Sequence, residues 1–330
     1  MSDKNEPDDL ESLRLPAGIK AKISEVYSTV SSVAHASAQE LVERAGIPLR
    51  TAKTAISSAR RLMNLGPITA LDMLEIYKNK RKLTTGSQKF DEILGGGIST
   101  GAITEIIGEY ASGKTQLAFQ LCINVQLPYE LGGLEGNAYF IDTEGTFSAK
   151  RIFEIAHNKK QLFQDIPDPE TILENIHVGR AYNAEHQIGL IKEAEKIISQ
   201  NKVRLLIIDS VAAHFRAEYI GKDSLAPRAQ ALMSHAALLT RLADTYDLVI
   251  LVTNQVMASI DKFVGATATE PALGFAWGHR PQTRIFLRKQ RGTARIARII
   301  DSPELPELET VFFITERGVE DGMPTEDHEI

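Results

Sequence analysis

Ile103-Thr104-Glu105-Ile106-Ile107-Gly108-Glu109-Tyr110-Ala111-Ser112-Gly113-Lys114-Thr115-Gln116 decides the fold. A short apolar run (Ile103–Ile107), a Gly-x4-Gly-Lys-Thr loop and the start of an amphipathic helix (Gln116–Gln126) follow one another. That is the context a phosphate-binding loop requires. Its backbone N–H groups and the helix N-terminus would face phosphates, Lys114 would put a point charge at the β/γ oxygens, and Thr115 would offer a hydroxyl to Mg²⁺. The bland alternative, a glycine-rich turn beside an ordinary lysine, lacks a reason for the strand and helix that frame it.

Working outward, Ala138–Ile141, Leu205–Ile208 and Leu248–Val252 are further short apolar runs with flanking turn or polar residues, as buried parallel strands are. Amphipathic stretches at Glu185–Ile198 and Arg228–Ala243 alternate with them, which predicts a doubly wound α/β sheet. Closely spaced strands at Thr283–Leu287, Ile296–Ile300 and Val311–Thr315 are expected as antiparallel extensions of one sheet edge. Parallel strands deliver their carboxyl ends to one side. Asp209 after Leu205–Ile208 is thus a candidate metal carboxylate, and Glu144 after Ala138–Ile141 a candidate base or water-positioner. By pattern alone the competing, less favoured reading of Glu144 is a solvated loop acid. Gln255, after Leu248–Val252, could sense a γ-phosphate or simply end a turn.

The chain of 330 residues, 43% hydrophobic and 24% charged, suits two domains and is neither disordered nor fibrous. One cysteine, Cys122, excludes a disulfide framework and a cysteine-rich zinc site, and fits a reducing, cytoplasmic setting. No apolar run spans a membrane, and the acidic start MSDKNEPDDLES has the wrong sign for a signal peptide, so no membrane partner is expected. The net charge of −6 argues against a strong global field for nucleic acid while leaving room for a local basic stripe. Residues 1–9 read as a disordered acidic tail and 10–65 as a small all-α module. In the latter, Ser37 caps one helix, Gly46 stops it, and Pro48 opens a second with Ala52, Ala55, Ile56, Ala59 and Leu62 at helical spacing. Residues 66–83 read as a linker, and 84–330 as the α/β core.

Five motifs in order resemble the archaeal RadA recombinases of the RecA family: Gly-Glu-Tyr-Ala-Ser-Gly-Lys-Thr-Gln (108–116), Ile-Asp-Thr-Glu-Gly-Thr-Phe (141–147), Asp-Ser-Val-Ala-Ala-His-Phe-Arg-Ala-Glu-Tyr (209–219), Thr-Asn-Gln-Val (253–256) and Arg-Ile-Ala-Arg-Ile-Ile-Asp-Ser-Pro (295–303). The shorter RadB paralogues lack an N-terminal helical domain. The resemblance implies a RecA-like P-loop ATPase core preceded by a helix-hairpin-helix domain. It implies an ATP-dependent DNA recombinase that polymerises on single-stranded DNA, as a ring or helical filament, and promotes strand exchange in recombination and repair. ATP and Mg²⁺ are the implied cofactors, with a monovalent cation as an additional candidate; single- and double-stranded DNA are the implied partners. Glu144 takes the family's catalytic role beside Lys114, and Gln255 couples ATP to the DNA loops. Arg151 stacks on adenine, and Asp301, Ser302 and Pro303 cap ATP bound in the adjacent subunit.

Between Asp209 and the next helix, Phe215-Arg216-Ala217-Glu218-Tyr219-Ile220-Gly221-Lys222 interleaves rings and cations, as sequence-tolerant single-strand binding needs. By composition alone it is a solvated loop; the resemblance assigns Arg216, Tyr219, Lys222 and Arg228 to the first DNA loop. Met257 to Arg280 lacks a period and resembles the second DNA loop, with Phe275, Trp277 and His279 as candidate contacts. Phe275 and Trp277 packing against the domain is the competing reading. Three departures from the family pattern stand out. Leu273 replaces a common glycine and Phe275 a frequent histidine. Leu15-Pro16-Ala17-Gly18-Ile19 lacks the glycine-rich hairpin that grips duplex phosphates. Pro67-Ile68-Thr69-Ala70 keeps the family's oligomerisation alanine, Ala70, but puts Pro67 where a phenylalanine normally anchors the next subunit, unless Ile68 substitutes by a shifted register. These departures also admit an ATP-binding regulatory paralogue with weak strand exchange. A P-loop kinase is disfavoured, since the aromatic-basic loop has no role in one.

Overall fold

The computed structural model describes residues 9–257, 270–271, 273 and 277–322. The acidic tail thus lies, Asp9 apart, outside the described residues, as does Phe275. The chain divides into two compact units, Met1–Lys80 and Arg81–Ile330.

The first unit contains α1 (Ala17–Ser24), α2 (Val30–His35), α3 (Ala38–Ala45), α4 (Leu49–Leu62) and α5 (Ala70–Lys78). Ser37 Oγ accepts the Glu40 N–H at 3.1 Å to cap α3, and Gly46, at φ 60°, ends it in the left-handed conformation glycine adopts without a Cβ penalty. Ile23, Tyr27, Val33, Leu41, Ile47, Ala52, Ile56 and Ala59 share one small core. Gly18 lies inside α1, so the Leu15–Ile19 segment forms a helix start rather than a glycine hairpin. The stretch read as a linker carries α5, begun by a capping box in which Thr69 Oγ1 accepts the Asp72 N–H at 3.1 Å and Asp72 accepts the Thr69 N–H at 3.0 Å.

The second unit begins with β1 (Lys82–Leu83), α6 (Gln88–Ile93), β2 (Ile98–Ser99), β3 (Ala102–Gly108), α7 (Lys114–Asn124) and β4 (Asn137–Asp142). It continues through α8 (Ala149–Lys160), α9 (Pro169–Glu174), β5 (Ile176–Arg180), α10 (Ala184–Gln200), β6 (Val203–Asp209), α11 (Ala213–Glu218) and α12 (Leu225–Tyr246). The last elements are β7 (Val249–Met257), β8 (Glu270–Pro271), β9 (Thr283–Lys289), β10 (Ala294–Asp301), β11 (Glu309–Thr315) and β12 (Gly318–Glu320).

The large sheet has the order β12-β11-β10-β9-β3-β7-β6-β4-β5. Its strands from β9 to β5 are parallel, and β10 to β12 are antiparallel. β9 is therefore not an antiparallel extension: it pairs parallel with β3, and the reversal starts at β10. The central strands are largely apolar because both faces are covered. Phe140, Ile207 and Leu251 pack on one side with Leu117, Phe119 and Ile152, whereas Ile141, Ile208 and Ile250 pack on the other with Ile191, Leu239 and Phe215.

In the second cluster His235 of α12 is buried against Phe215, ring centroids 5.6 Å apart, and its Nδ1 has no hydrogen-bond partner. Burial pushes its pKa from the ordinary 6.5 down to about 4. The unfolded chain therefore takes up this proton first as the pH falls, and the folded state loses up to about 3 kcal/mol between pH 6.5 and 4, with no such loss above 6.5. His235→Leu should remove this part of the pH dependence. Urea midpoints of wild type and variant, measured at pH 7 and pH 5, test it.

Candidate nucleotide and DNA site

Register assembles the site. Gly108 at the end of β3 pairs with Gln255 of β7, and Asp142 of β4 pairs with Asp209 of β6. Through the Ile208–Val252 pairing of β6 with β7 the Asp142–Asp209 pair ends two residues short of the Gly108–Gln255 pair, and the four strand ends gather at the carboxyl edge, the position at which open parallel sheets bind ligands.

Glycine is required at two points of the 108–115 loop. A Cβ on Gly108 would stand 2.5 Å from both the Leu287 carbonyl oxygen and Ser112 Oγ. Gly113 has φ +108°, and its Cβ would meet Ile314 Cδ1 at 2.6 Å. Ala111 holds φ 60° without being glycine, a conformation that costs about 1 kcal/mol or more. Glu109, Tyr110 and Ala111 are exposed, Tyr110 almost completely at 97%, while Ser112 is buried with its hydroxyl unpartnered. Lys114 Nζ donates to the Gly108 and Glu109 carbonyls, both at 2.8 Å. Burial lowers the Lys114 pKa, and the charges of Asp209, Glu144 and Glu109 oppose that shift.

Thr115 Oγ1 donates to Asp209 Oδ2 at 2.7 Å, and Thr253 Oγ1 donates to Asp209 Oδ1. Burial raises the Asp209 pKa against the pull of the Thr253 and Thr115 hydroxyls. Thr115 and Asp209 together form a hard oxygen pair of the kind Mg²⁺ takes alongside phosphate oxygens. Glu144 Oε1 accepts from Ser210 Oγ at 2.6 Å and from Gln255 Nε2 at 3.1 Å. The three residues read as catalytic are therefore on one edge, and two of them are in contact. Arg151 lies on the flank, donating from Nε to Gln116 Oε1 at 2.9 Å and from its guanidinium to the Thr315 and Glu316 carbonyls.

A model of the Rad51 family matches residues 77–322. The chain is 44% identical over 295 residues to a DNA repair and recombination protein RadA of Aeropyrum pernix, covering 89% of this chain and 90% of that one. It is 46% identical over 296 residues to the protein of the same name from Metallosphaera sedula, covering 89% of each. The chain belongs to the Rad51 family.

Against the Rad51-family expectations, the residues read as DNA contacts divide. Arg216 and Tyr219 are half-exposed on and just after α11, with the Tyr219 ring stacked on Phe215 at 6.2 Å, and Ile220 is open to solvent. Lys222 sits in a short 3₁₀ turn, Lys222–Ser224, and Arg228 is half-exposed in the first turn of α12. His279 is exposed. Trp277 is different: it is 1% exposed, and its indole N–H donates to Glu105 Oε1 at 2.8 Å. The expectation that Trp277 meets DNA is thereby corrected, because its ring belongs to the core and its one polar atom is already paired. Leu273 is buried in the same cluster. Asp301 pairs with Arg284 at the end of β10 away from the loop, and Ser302 Oγ accepts the Glu304 and Leu305 N–H groups at 3.3 Å. Within one chain, then, Asp301, Ser302 and Pro303 do not join the phosphate loop. Pro67 and Ile68 precede α5 in the first unit, Ala70 is its first residue, and all three are exposed.

Residue reading missed Asp142, whose Oδ1 accepts the N–H groups of Glu144, Gly145 and Thr146 at 3.1, 2.6 and 3.2 Å. Those bonds fold the turn that carries Glu144, and Arg180 pairs with the other oxygen at 3.2 Å. An Asp at a strand end with glycine three residues on was the available signal. Gly113→Ala should destabilise the second unit by roughly 1–3 kcal/mol through the positive φ and the contact with Ile314. A thermal melt without nucleotide checks this, and an unchanged midpoint would show that the loop has another conformation.

Proposed function

We propose that the protein is a DNA-dependent ATPase that polymerises on single-stranded DNA and promotes homologous pairing and strand exchange in recombination and repair. The observation that carries the reading is the Glu144 carboxylate held between Ser210 and the Gln255 amide, beside Lys114 and the Thr115–Asp209 pair. In this reading Glu144 orients a water and accepts its proton while the water oxygen bonds to the γ-phosphorus. The bond from that phosphorus to the bridging oxygen breaks, giving ADP and phosphate. Lys114 neutralises charge on the β/γ oxygens, and the loop N–H groups bind the phosphates. Thr115 and Asp209 would hold Mg²⁺, which supplies charge neutralisation when bound. Arg151 would hold the base side. Asp301, Ser302 and Pro303 would serve a neighbouring subunit's nucleotide, with Ala70, Ile68 and Pro67 at the oligomer contact. Among the described residues no helix is long and apolar enough to cross a membrane.

Lys114→Ala should abolish nucleotide binding or turnover, since the loop loses its cation. Glu144→Gln should keep nucleotide affinity and slow hydrolysis by about 100-fold or more, because an amide cannot take the proton. Single-turnover hydrolysis beside a fluorescent-nucleotide titration separates the two effects. Undiminished turnover in the glutamine variant removes Glu144 from this role.

DNA affinity should require ATP and fall as salt rises. Replacing Arg216 and Arg228 together by alanine should reduce the slope of log K against log[salt] by about 1 to 2. Anisotropy of a labelled single strand over a salt series measures it. Identical slopes would place both arginines outside the contact. Strand exchange with purified substrates distinguishes an active recombinase from the regulatory paralogue that Pro67 and the altered 271–275 segment admit.

A further inference from the structure

Glu105 lies in the middle of β3 and is completely buried. A carboxylate in an apolar strand costs several kcal/mol unless donors surround it, and an apolar side chain of similar size would fill the space more cheaply. Three donors surround this one. Oε1 accepts from Asn254 Nδ2 and from Trp277 Nε1, both at 2.8 Å, and Oε2 accepts from Arg284 Nε at 2.8 Å. Asn254 immediately precedes Gln255, whose amide meets Glu144. Side chains alternate along β7, so fixing Asn254 to one side of the strand fixes Gln255 to the other. The Asn254 Oδ1 has no partner, which leaves the bond to Glu105 as the side chain's only anchor among the described residues. Asn254 precedes the stretch Met257 to Arg280 that the resemblance assigns to DNA, Trp277 stands near its far end, and Arg284 follows it. One carboxylate therefore holds the chain entering that stretch and the chain leaving it.

We propose that Glu105 is a positioning residue that couples the Glu144–Gln255 contact to the DNA-binding stretch, by holding Asn254 and Trp277 on a single carboxylate oxygen. The proposal rests on the reading of the protein as a DNA-dependent ATPase. A displacement of Asn254 alters the acceptor that Trp277 uses, and a displacement of Trp277 alters the one that orients Asn254. Nucleotide state and DNA occupancy then bias the same cluster, which is what coupling requires.

Glu105→Gln tests it with little change of shape. A glutamine has one acceptor oxygen, so either Arg284 or the Asn254–Trp277 pair must face an N–H group. Trp277→Phe, which keeps a buried ring but removes the N–H, is the second variant. Turnover of ATP is measured with and without single-stranded DNA, together with the emission of Trp277, the only tryptophan in the chain. Wild type should show DNA-stimulated turnover and an emission shift when DNA is added with a non-hydrolysable nucleotide. In Glu105→Gln the DNA-free rate should stay within about twofold, while the stimulation ratio falls about tenfold and the emission no longer depends on nucleotide. Trp277→Phe should lower the same ratio severalfold, and it decides the matter if Glu105→Gln does not fold. A wild-type ratio in either folded variant overturns the proposal. So does an equal loss of DNA-free and DNA-stimulated rates, which would make the cluster a structural prop. Absence of DNA stimulation in wild type would instead defeat the ATPase reading, and the coupling with it.

Discussion

Parallel register is the constraint on which everything else here depends. Gly108 beside Gln255 and Asp142 beside Asp209 bring Lys114, Asp209, the Glu144 turn and the Gln255 amide to one sheet edge without any long-range loop having to find them. Because side chains alternate, a slip of one residue in β6 would exchange Ile207 and Ile208 between the two cores and turn Asp209 away from Thr115. The cores that enforce this register are mostly apolar, so the same burial that stabilises the fold sets the geometry of the site.

Three carboxylates buried in the sheet, Asp142, Asp209 and Glu105, are satisfied differently. Asp142 spends its oxygens on backbone N–H groups and Arg180, so it shapes a turn. Among the described residues Asp209 receives two hydroxyls and no cation within bonding distance, and burial raises its pKa, which leaves it a strong acceptor for a positive ligand. Glu105 has an arginine, an amide and an indole, and has no need of an external partner. The difference in supporting donors separates a residue poised for a ligand from one that ties elements together.

The fold was readable where periodicity and turn chemistry agree, and so was much of the site. The strand before the loop, the helix after it and the Asp209 strand all follow from local pattern. β5 escaped because Ile-His-Val-Gly-Arg at a sheet edge is half exposed and neither clearly apolar nor clearly alternating. α5 escaped because Pro67 and Gly66 suggested a linker, although Thr69 and Asp72 form a capping box. Trp277 was misread for a further reason: an aromatic in an aperiodic stretch reveals its setting only through its partner, and Glu105 lies 172 positions away in sequence. Glu105 itself was hidden as one polar residue among isoleucines. Nothing local distinguishes a solvated glutamate from one neutralised by three distant donors.

The two ends of β10 do different work. Arg295, at its start, stands with Ile314 beside Gly113, where an added Cβ would strike Ile314 and touch Arg295, so this end borders the 108–115 loop. Asp301 is six residues further on, which at strand rise is roughly 20 Å along the sheet. It is level there with Arg284 and, through β9, with Glu105 rather than with the loop. Even with the register shift between Ile299 and Asp301, the far end of β10 stays away from the 108–115 loop of its own chain. Under the proposed function, capping by Asp301, Ser302 and Pro303 would therefore act on a nucleotide held by another copy of the chain, and the complete site would be one that two copies share.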